Sequence, residues 1–424
     1  MLEIYSRLLN PTSISLANYV VDLEAGPYSS EYLAWNFNSG MAAIDATLAH
    51  LLGRDDILIT SRNLYGGAYQ LIHDWYAKQG NLEIAVETFD GYQVENFTAC
   101  AEKALAAHQD RLDRGRQAYV YLESPCNPHG YVLDVPGICR KAHELGMKVM
   151  LDATVGTPFL FCALRRDDPL ERPDYVIHSY TKDMSGTGSV VAGCVIGLNG
   201  DMFIPKGEKM GGRSWEETMF WNVYYVKGAF LNADAAFEVI QGMRTLALRM
   251  LHKCINTDIL AHFLAAHPAI EVRCNSLQKN ENSSLRESLL FLGLPSPLFT
   301  VDMGSLDTEA FQRFFDSLSP AFGHMISLGQ SNTIVSCPAL TTHSELSEKA
   351  LREAGLTPTT IRIAVGDENP MDLINHLRSA AQLTLDPISP GFSEQFLSEE
   401  ATRELVRSRY LQAQQRYVEH LLDA

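Results

Sequence analysis

Asp152 and Lys182 are the two residues on which a chemical reading of this chain turns. Asp152 closes the run Lys148-Val149-Met150-Leu151-Asp152, and Lys182 follows Asp174-Tyr175-Val176-Ile177-His178-Ser179. Both runs have the apolar, β-branched character of strands. In an open α/β sheet, ligands bind beyond the carboxyl ends of the strands, so a carboxylate and an amine placed there can converge on one site. A buried lysine is costly unless it is paired or neutralised. Forming an imine removes that cost and makes the lysine a covalent anchor. A carboxylate facing a protonated ring nitrogen keeps the ring electron-withdrawing, which is what an electron-sink cofactor requires. Spacing alone carries little weight, because many proteins have an Asp and a Lys at strand ends.

An anion-binding feature lies earlier in the chain. Asn38-Ser39-Gly40-Met41 stands between the run Tyr32 to Phe37 and a helix expected from Ala42 to Leu52. Ser39 can cap that helix, and Gly40 lets the backbone come close to an anion facing the open N–H groups of the first turn. Ser179 and Thr181 add hydroxyl donors beside Lys182. An ordinary helix cap explains Ser39-Gly40 equally well when it is taken alone.

These residues need a scaffold, and the pattern supplies one. Asp56 to Thr60, Ala118 to Glu123, Lys148 to Asp152, Asp174 to Ser179 and Val190 to Ile196 read as strands. Helical stretches at Leu64 to Ala77 and Val135 to Leu145 fall between them, the second closed by Gly146. The alternation predicts an α/β layer with a mostly parallel sheet. From Ala233 to His267 the pattern is helical. Short strands follow, including Leu298 to Val301 and Thr360 to Val365, and Ser393 to Ala424 reads as a terminal helix. The expected organisation is a large domain over residues 1–235, with an N-terminal arm at 1–20. A smaller C-terminal α/β domain with a helical extension follows over 236–424.

The chain has 424 residues, enough for such a pair of domains. Acidic residues outnumber basic ones 51 to 34, giving a net charge of −17, which repels a nucleic-acid backbone on average. A local basic pocket can still hold a small anion. The eight cysteines show no CxxC pair and no zinc-finger spacing, so reduced thiols and no metal site are expected. No apolar stretch is long enough to span a bilayer and no signal-peptide pattern opens the chain. The expectation is a cytoplasmic protein with no membrane or nucleic-acid partner.

Taken together, the motifs resemble the Cys/Met-metabolism branch of fold-type I pyridoxal-phosphate enzymes. That branch includes methionine γ-lyase, cystathionine γ-synthase, the cystathionine lyases and O-acetylhomoserine sulfhydrylase. Tyr5-Ser6-Arg7 with Asn10-Pro11-Thr12 is similar to the family's YSRxxNPT, and Ser39-Gly40-Met41-Ala42-Ala43-Ile44 to its SGMAAI. Tyr65-Gly66-Gly67 matches YGG, and Glu123-Ser124-Pro125 with Asn127-Pro128 matches ESPxNP. Asp152-Ala153-Thr154 with Thr157-Pro158 resembles DNTFATP, and His178-Ser179-Tyr180-Thr181-Lys182 resembles HSxTK. Thr245 to Met250, Ser327-Leu328-Gly329, Thr342-His343-Ser344 and Arg362 with Val365-Gly366 and Glu368 continue the likeness in order.

The resemblance implies roles. Lys182 would hold pyridoxal 5'-phosphate as a Schiff base and carry protons between Cα and Cβ. Asp152 would pair with the ring nitrogen. Tyr65 would stack on the ring and act as acid or base at the leaving group, with core packing as its alternative. Gly40, Met41, Ser179 and Thr181 would hold the phosphate, and Asn127 would approach the 3-hydroxyl. Tyr5 and Arg7 would reach a neighbour's phosphate, which implies a homo-oligomer, dimer or homotetramer, with shared active sites. Arg362 would clamp the α-carboxylate of an amino-acid substrate near Ser327, a surface ion pair being its alternative. His178 is expected to be structural and Cys126 to be a tolerated small residue.

Some positions depart from the family. The family usually has a longer segment before the Tyr5 motif, one that helps build the entrance and subunit contacts. Ala153 replaces the usual Asn. Gly67 stands where methionine γ-lyases often carry Cys, and Ile326 where enzymes handling cystathionine often carry Glu. The aromatic stretch Met202 to Lys227 fits no family pattern. The expected activity is γ-elimination from a sulfur-containing or O-acylated homoserine-type amino acid, because Ile326 offers no partner for a second amino-acid head group. γ-Replacement in a biosynthetic pathway is the alternative. A non-catalytic scaffold that kept the fold is the rival from another class, and the intact Lys182, Asp152 and Arg362 argue against it.

Overall fold

The computed structural model describes residues 5, 6, 8–341, 351 and 355–423. A seven-stranded sheet dominates the first half of the chain. Its strands are β1 (Tyr32–Phe37), β2 (Ile57–Ser61), β3 (Ala85–Phe89), β4 (Ala118–Glu123), β5 (Lys148–Asp152), β6 (Tyr175–His178) and β7 (Gly193–Leu198). Their order is β1-β7-β6-β5-β4-β2-β3. Only β7 runs against its neighbours, pairing antiparallel with β1 and β6 while the other pairs are parallel. The mostly parallel sheet expected from the strand–helix alternation is therefore present. The central strands are buried along their whole length, as a sheet covered on both faces demands.

Local chemistry fixes the helices that frame this sheet. Helix α1 (Pro11–Ala25) starts at Asn10, whose side chain accepts from Ser13 N at 2.9 Å, with Pro11 preset for the first turn. Helix α2 (Gly40–Leu51) starts at Ser39, whose hydroxyl accepts from Ala42 N at 3.0 Å. The run expected as one helix from Leu64 to Ala77 divides. Helix α3 (Gly66–Gln70) gives way to a wider turn at Leu71–Tyr76, where the Ala77 N–H reaches back five residues to Ile72 O. The long helical stretch after Ala233 also divides, into Ala233–Met243 and Leu246–Ala265. At the break Thr245 N turns back only three residues, to Gly242 O at 3.2 Å.

Two compact units result: residues 1–125 with 132–246, and residues 126–131 with 247–424. The first extends past 235 because the helix Ala233–Met243 packs on α1. The second holds a five-stranded sheet, in which Leu298–Asp302 and Thr360–Ala364 pair antiparallel at the centre. The terminal helix runs over Glu399–Asp423. Within the aromatic stretch after Met202, Phe220 and Tyr224 are buried against Trp35, with ring centroids 5.0 and 5.1 Å away, while Pro205 to Gly212 and Tyr225 to Lys227 are exposed. Among the described residues no helix is long and apolar enough to cross a membrane.

Candidate active site

The register of the sheet sets the site in the first unit. Asp152 ends β5 beside Glu123 at the end of β4 and Ile177 near the end of β6. Lys182 lies in the turn that follows β6, where its N–H bonds Ser179 O at 3.3 Å and its carbonyl takes Gly186 N at 2.9 Å. Its charge acts on Asp152. Asp152 is 6 % exposed, and burial raises its pKa above the ordinary aspartate value against the hydrogen bonds from Thr154 that lower it. A cation placed beside this carboxyl would reverse that shift.

Thr154 ties the site together. Its N–H donates to Asp152 Oδ1 at 3.0 Å, and its hydroxyl oxygen accepts from Ser179 N at 2.9 Å. Ser179 in turn meets the start of α2. A Cβ on Gly40 would lie 2.7 Å from Ser179 Cβ and 2.8 Å from its Oγ, so only glycine lets the two backbones come this close. The result is a cradle at a helix N-terminus, floored by Gly40 and Met41 and flanked by the Ser179 hydroxyl. Such a cradle suits a phosphate. Thr181 serves differently: its hydroxyl donates to Ala192 O at 3.2 Å and accepts from Ala192 N at 3.0 Å. That use of its proton makes it a staple for the lysine turn.

Tyr65 approaches from α3. Its N–H donates to the buried Glu123 carboxylate at 2.5 Å, while its side chain is 39 % exposed, which removes core packing as its role. A Cβ on Gly67 would sit 2.7 Å from the Tyr65 ring and 3.1 Å from Met41 Sδ. Gly67 thus leaves the room that the ring and the sulfur occupy. Gly40, Met41, Tyr65, Asp152, Ser179, Thr181 and Lys182 are therefore gathered at one end of the sheet. The set fits pyridoxal 5'-phosphate: an anion cradle, an amine and a buried carboxyl whose proton affinity burial raises.

The second unit carries the other group. Arg362 is 2 % exposed, so a surface ion pair is excluded. Its Nη1 donates to Asn127 Oδ1 at 3.2 Å and its Nη2 to Ser327 O at 2.8 Å. Ser327 takes part through its carbonyl, and Asn127, expected at a cofactor hydroxyl, also orients this guanidinium. Tyr5 is 55 % exposed; Arg7 and Thr342-His343-Ser344 lie outside the described residues. Glu123 and Thr154 lie within the motifs, and their part in the site emerges only from their contacts. The signal for Thr154 was a hydroxyl residue two places after a carboxylate at a strand end, the spacing at which the carboxylate takes its N–H.

The family model described as Cys/Met metabolism PLP-dependent enzyme matches residues 3–382. The chain is 27% identical over 387 residues to an L-methionine gamma-lyase of Fusobacterium nucleatum subsp. polymorphum, covering 89% of this chain and 86% of that one. It is 28% identical over 406 residues to an O-acetyl-L-homoserine sulfhydrylase of Leptospira meyeri, covering 89% and 85%. The crystal structure of a putative O-acetylhomoserine (thiol)-lyase of Campylobacter jejuni subsp. jejuni, containing N'-pyridoxyl-lysine-5'-monophosphate, superposes with a TM-score of 0.75 at 28% identity. That match covers 89% of this chain and 88% of the other.

Proposed function

The chain belongs to the Cys/Met-metabolism family of PLP-dependent enzymes, and from that premise we propose that it catalyses γ-elimination on a sulfur-containing or O-acylated homoserine-type amino acid. When bound, pyridoxal 5'-phosphate supplies an electron sink for the negative charge that develops on the substrate carbons. The Ser39–Met41 cradle with Ser179 holds the phosphate. Asp152 would hold a proton on the cofactor's ring nitrogen and would itself be held in its charged form by that pairing. Lys182 would anchor the cofactor; released from it by the substrate's amino group, its free amine takes the α-proton, gives that proton up within the site, and only then, neutral again, takes a β-proton. Tyr65 donates to the departing group on Cγ. Arg362, which donates to Asn127 Oδ1 and Ser327 O, would take the α-carboxylate through a two-pronged pair. Water then releases a 2-oxo acid and ammonia.

One observation carries this reading: the run of contacts that joins Gly40, Ser179, Thr154 and Asp152 to the Lys182 turn. γ-Replacement by a thiol is the second reading, because relatives of both kinds match equally well. Elimination is favoured over replacement by an amino-acid thiol by Ile326, 65 % exposed and apolar, which cannot hold the charged head of a second amino acid. The test is a screen of methionine, cystathionine, homocysteine and O-acyl-homoserines for 2-oxobutyrate, with and without an added thiol. Elimination releases the oxo acid without thiol. Thiol-dependent loss of substrate with no oxo acid would establish replacement. The protein is further proposed to be a cytoplasmic homo-oligomer.

A further inference from the structure

The second unit has a cavity of about 530 Å3 that the reading above does not use. Ligand cavities fall within roughly 300–1,000 Å3. One wall is the helix Leu246–Ala265, through Asp258 and His262; another is the terminal helix Glu399–Asp423, through Arg409 and Arg416. Two turns, around Lys279 and around Leu292, complete it. The family span ends at residue 382, so the terminal helix lies beyond what this chain has in common with the family.

The charge in this cavity opposes that of the whole chain. Lys279, Arg286, Arg409 and Arg416 line it against two carboxylates, Asp258 and Glu287. Arg286 is committed: it donates to Asn275 O at 2.8 Å and to Gly293 O, and pairs with Glu287 at 2.8 Å. Arg409 Nε lies 3.5 Å from Asp258, whose carboxylate also takes His262 Nδ1 at 3.0 Å. Lys279 and Arg416 have no carboxylate partner among the described residues; Arg416 makes one long bond, 3.4 Å, to Leu292 O. Leu292 itself has φ 54° and ψ 17°, a left-handed backbone that a leucine adopts only where its surroundings hold it, and such residues cluster at ligand sites.

We propose that this cavity binds a small organic phosphate. Its two uncompensated cations match the charge of a phosphate monoester, about −1.5 to −2 at neutral pH, better than that of one carboxylate. Arg409 supplies further donors, and Leu277, Leu294 and Pro295 give an apolar surface for the organic body. The site is independent of the Lys182 chemistry, and none of its residues has a role there.

The experiment titrates the holoenzyme, whose phosphate cradle is already filled, with AMP as the probe in a calorimeter. Adenosine and inorganic phosphate are the comparison arms. AMP should bind saturably and weaken as salt rises. Lys279→Ala and Arg416→Ala should each reduce its affinity about tenfold or more, the loss expected for one charge-assisted contact, while turnover stays at the wild-type value. Adenosine should not bind, and inorganic phosphate should bind more weakly than AMP. No saturable AMP binding, or AMP binding equal in wild type and in the double variant, overturns the proposal. Inorganic phosphate binding as tightly as AMP overturns the assignment of an organic ligand.

Discussion

At the scale of single residues, Lys182 and Asp152 make separable demands. Lys182→Ala removes the anchor and the base together, so turnover should fall by roughly ten-thousandfold while the fold persists. Borohydride treatment of the wild type followed by peptide mass spectrometry should place a pyridoxyl group on Lys182. Asp152→Asn should retain cofactor but lose activity by about a hundredfold or more, since a neutral amide cannot hold the ring proton. The same substitution has the opposite effect on the cofactor-free protein. Burial raises the Asp152 pKa, so the folded state holds that proton more tightly than the unfolded chain does. The stability this confers is present below the ordinary aspartate range and is lost as pH rises through the raised value. At neutral pH cofactor-free Asp152→Asn should therefore melt at a higher temperature than cofactor-free wild type, and thermal unfolding from pH 4 to 8 measures it. Lys182, Asp152 and the Ser39-Gly40 helix start were legible as candidates only through the ordered set of motifs that resembles the family, because a lysine, an aspartate or a Ser-Gly cap taken alone has many uses. Glu123 and Thr154 were not, because their work lies in whose N–H group they accept or whose carboxylate they hold, and pairing across strands is not written in local pattern.

At the scale of elements, the strands read at Asp56 to Thr60, Ala118 to Glu123, Lys148 to Asp152 and Asp174 to Ser179 lie within a residue of the observed ones, because a buried parallel strand is a short apolar run bounded by turns; β7 starts at Gly193, three residues after the expected Val190, and β3 (Ala85–Phe89) was not anticipated. The helical stretches failed where hydrogen bonding shifts away from the four-residue step, at Ile72–Ala77 and at Gly242–Thr245, with no change in apolar spacing to mark it. The helix Leu246–Ala265 has a task that its amphipathic pattern also concealed. Lys253, 0 % exposed, donates to Gln330 O at 2.6 Å, in the loop that begins at Ser327. Asn256, one turn on, donates to Glu368 O at 2.8 Å and to Gly366 O at 3.3 Å, just past the Arg362 strand. The helix thus braces loops on both sides of Arg362, the proposed carboxylate clamp. Lys253→Met should raise KM for the amino acid about tenfold, as the Ser327 carbonyl drifts from Arg362, and change kcat less than about twofold. Lys253→Arg should restore part of the loss. Equal falls in kcat and kcat/KM would point instead to a disturbed fold.

At the scale of the whole molecule, the question is whether one chain completes its own site. Tyr5 is 55 % exposed in the single chain, and an aromatic in a motif that resembles a phosphate-reaching arm would gain cover from a second copy. Arg7, two residues on, offers a fixed fork of donors suited to a phosphate. Arg7→Ala should weaken cofactor retention, measured as activity at limiting pyridoxal phosphate. The competing account is a frayed chain end with no role, which predicts no loss at all. Mixing decides whether the arm serves its own chain or a neighbour. Arg7→Ala subunits keep Lys182, and Lys182→Ala subunits keep Arg7. Random exchange between paired subunits makes half of the pairs hybrids, and each hybrid has one site with both residues intact if the arm crosses over. Activity should then rise to about one quarter of the wild-type sites. If the arm folds back onto its own chain, every site lacks one residue or the other, and activity stays at the level of the unmixed variants. Exchange itself is followed by native mass spectrometry of differently tagged chains, so an unchanged rate in a mixture shown to contain hybrids assigns the arm to its own subunit.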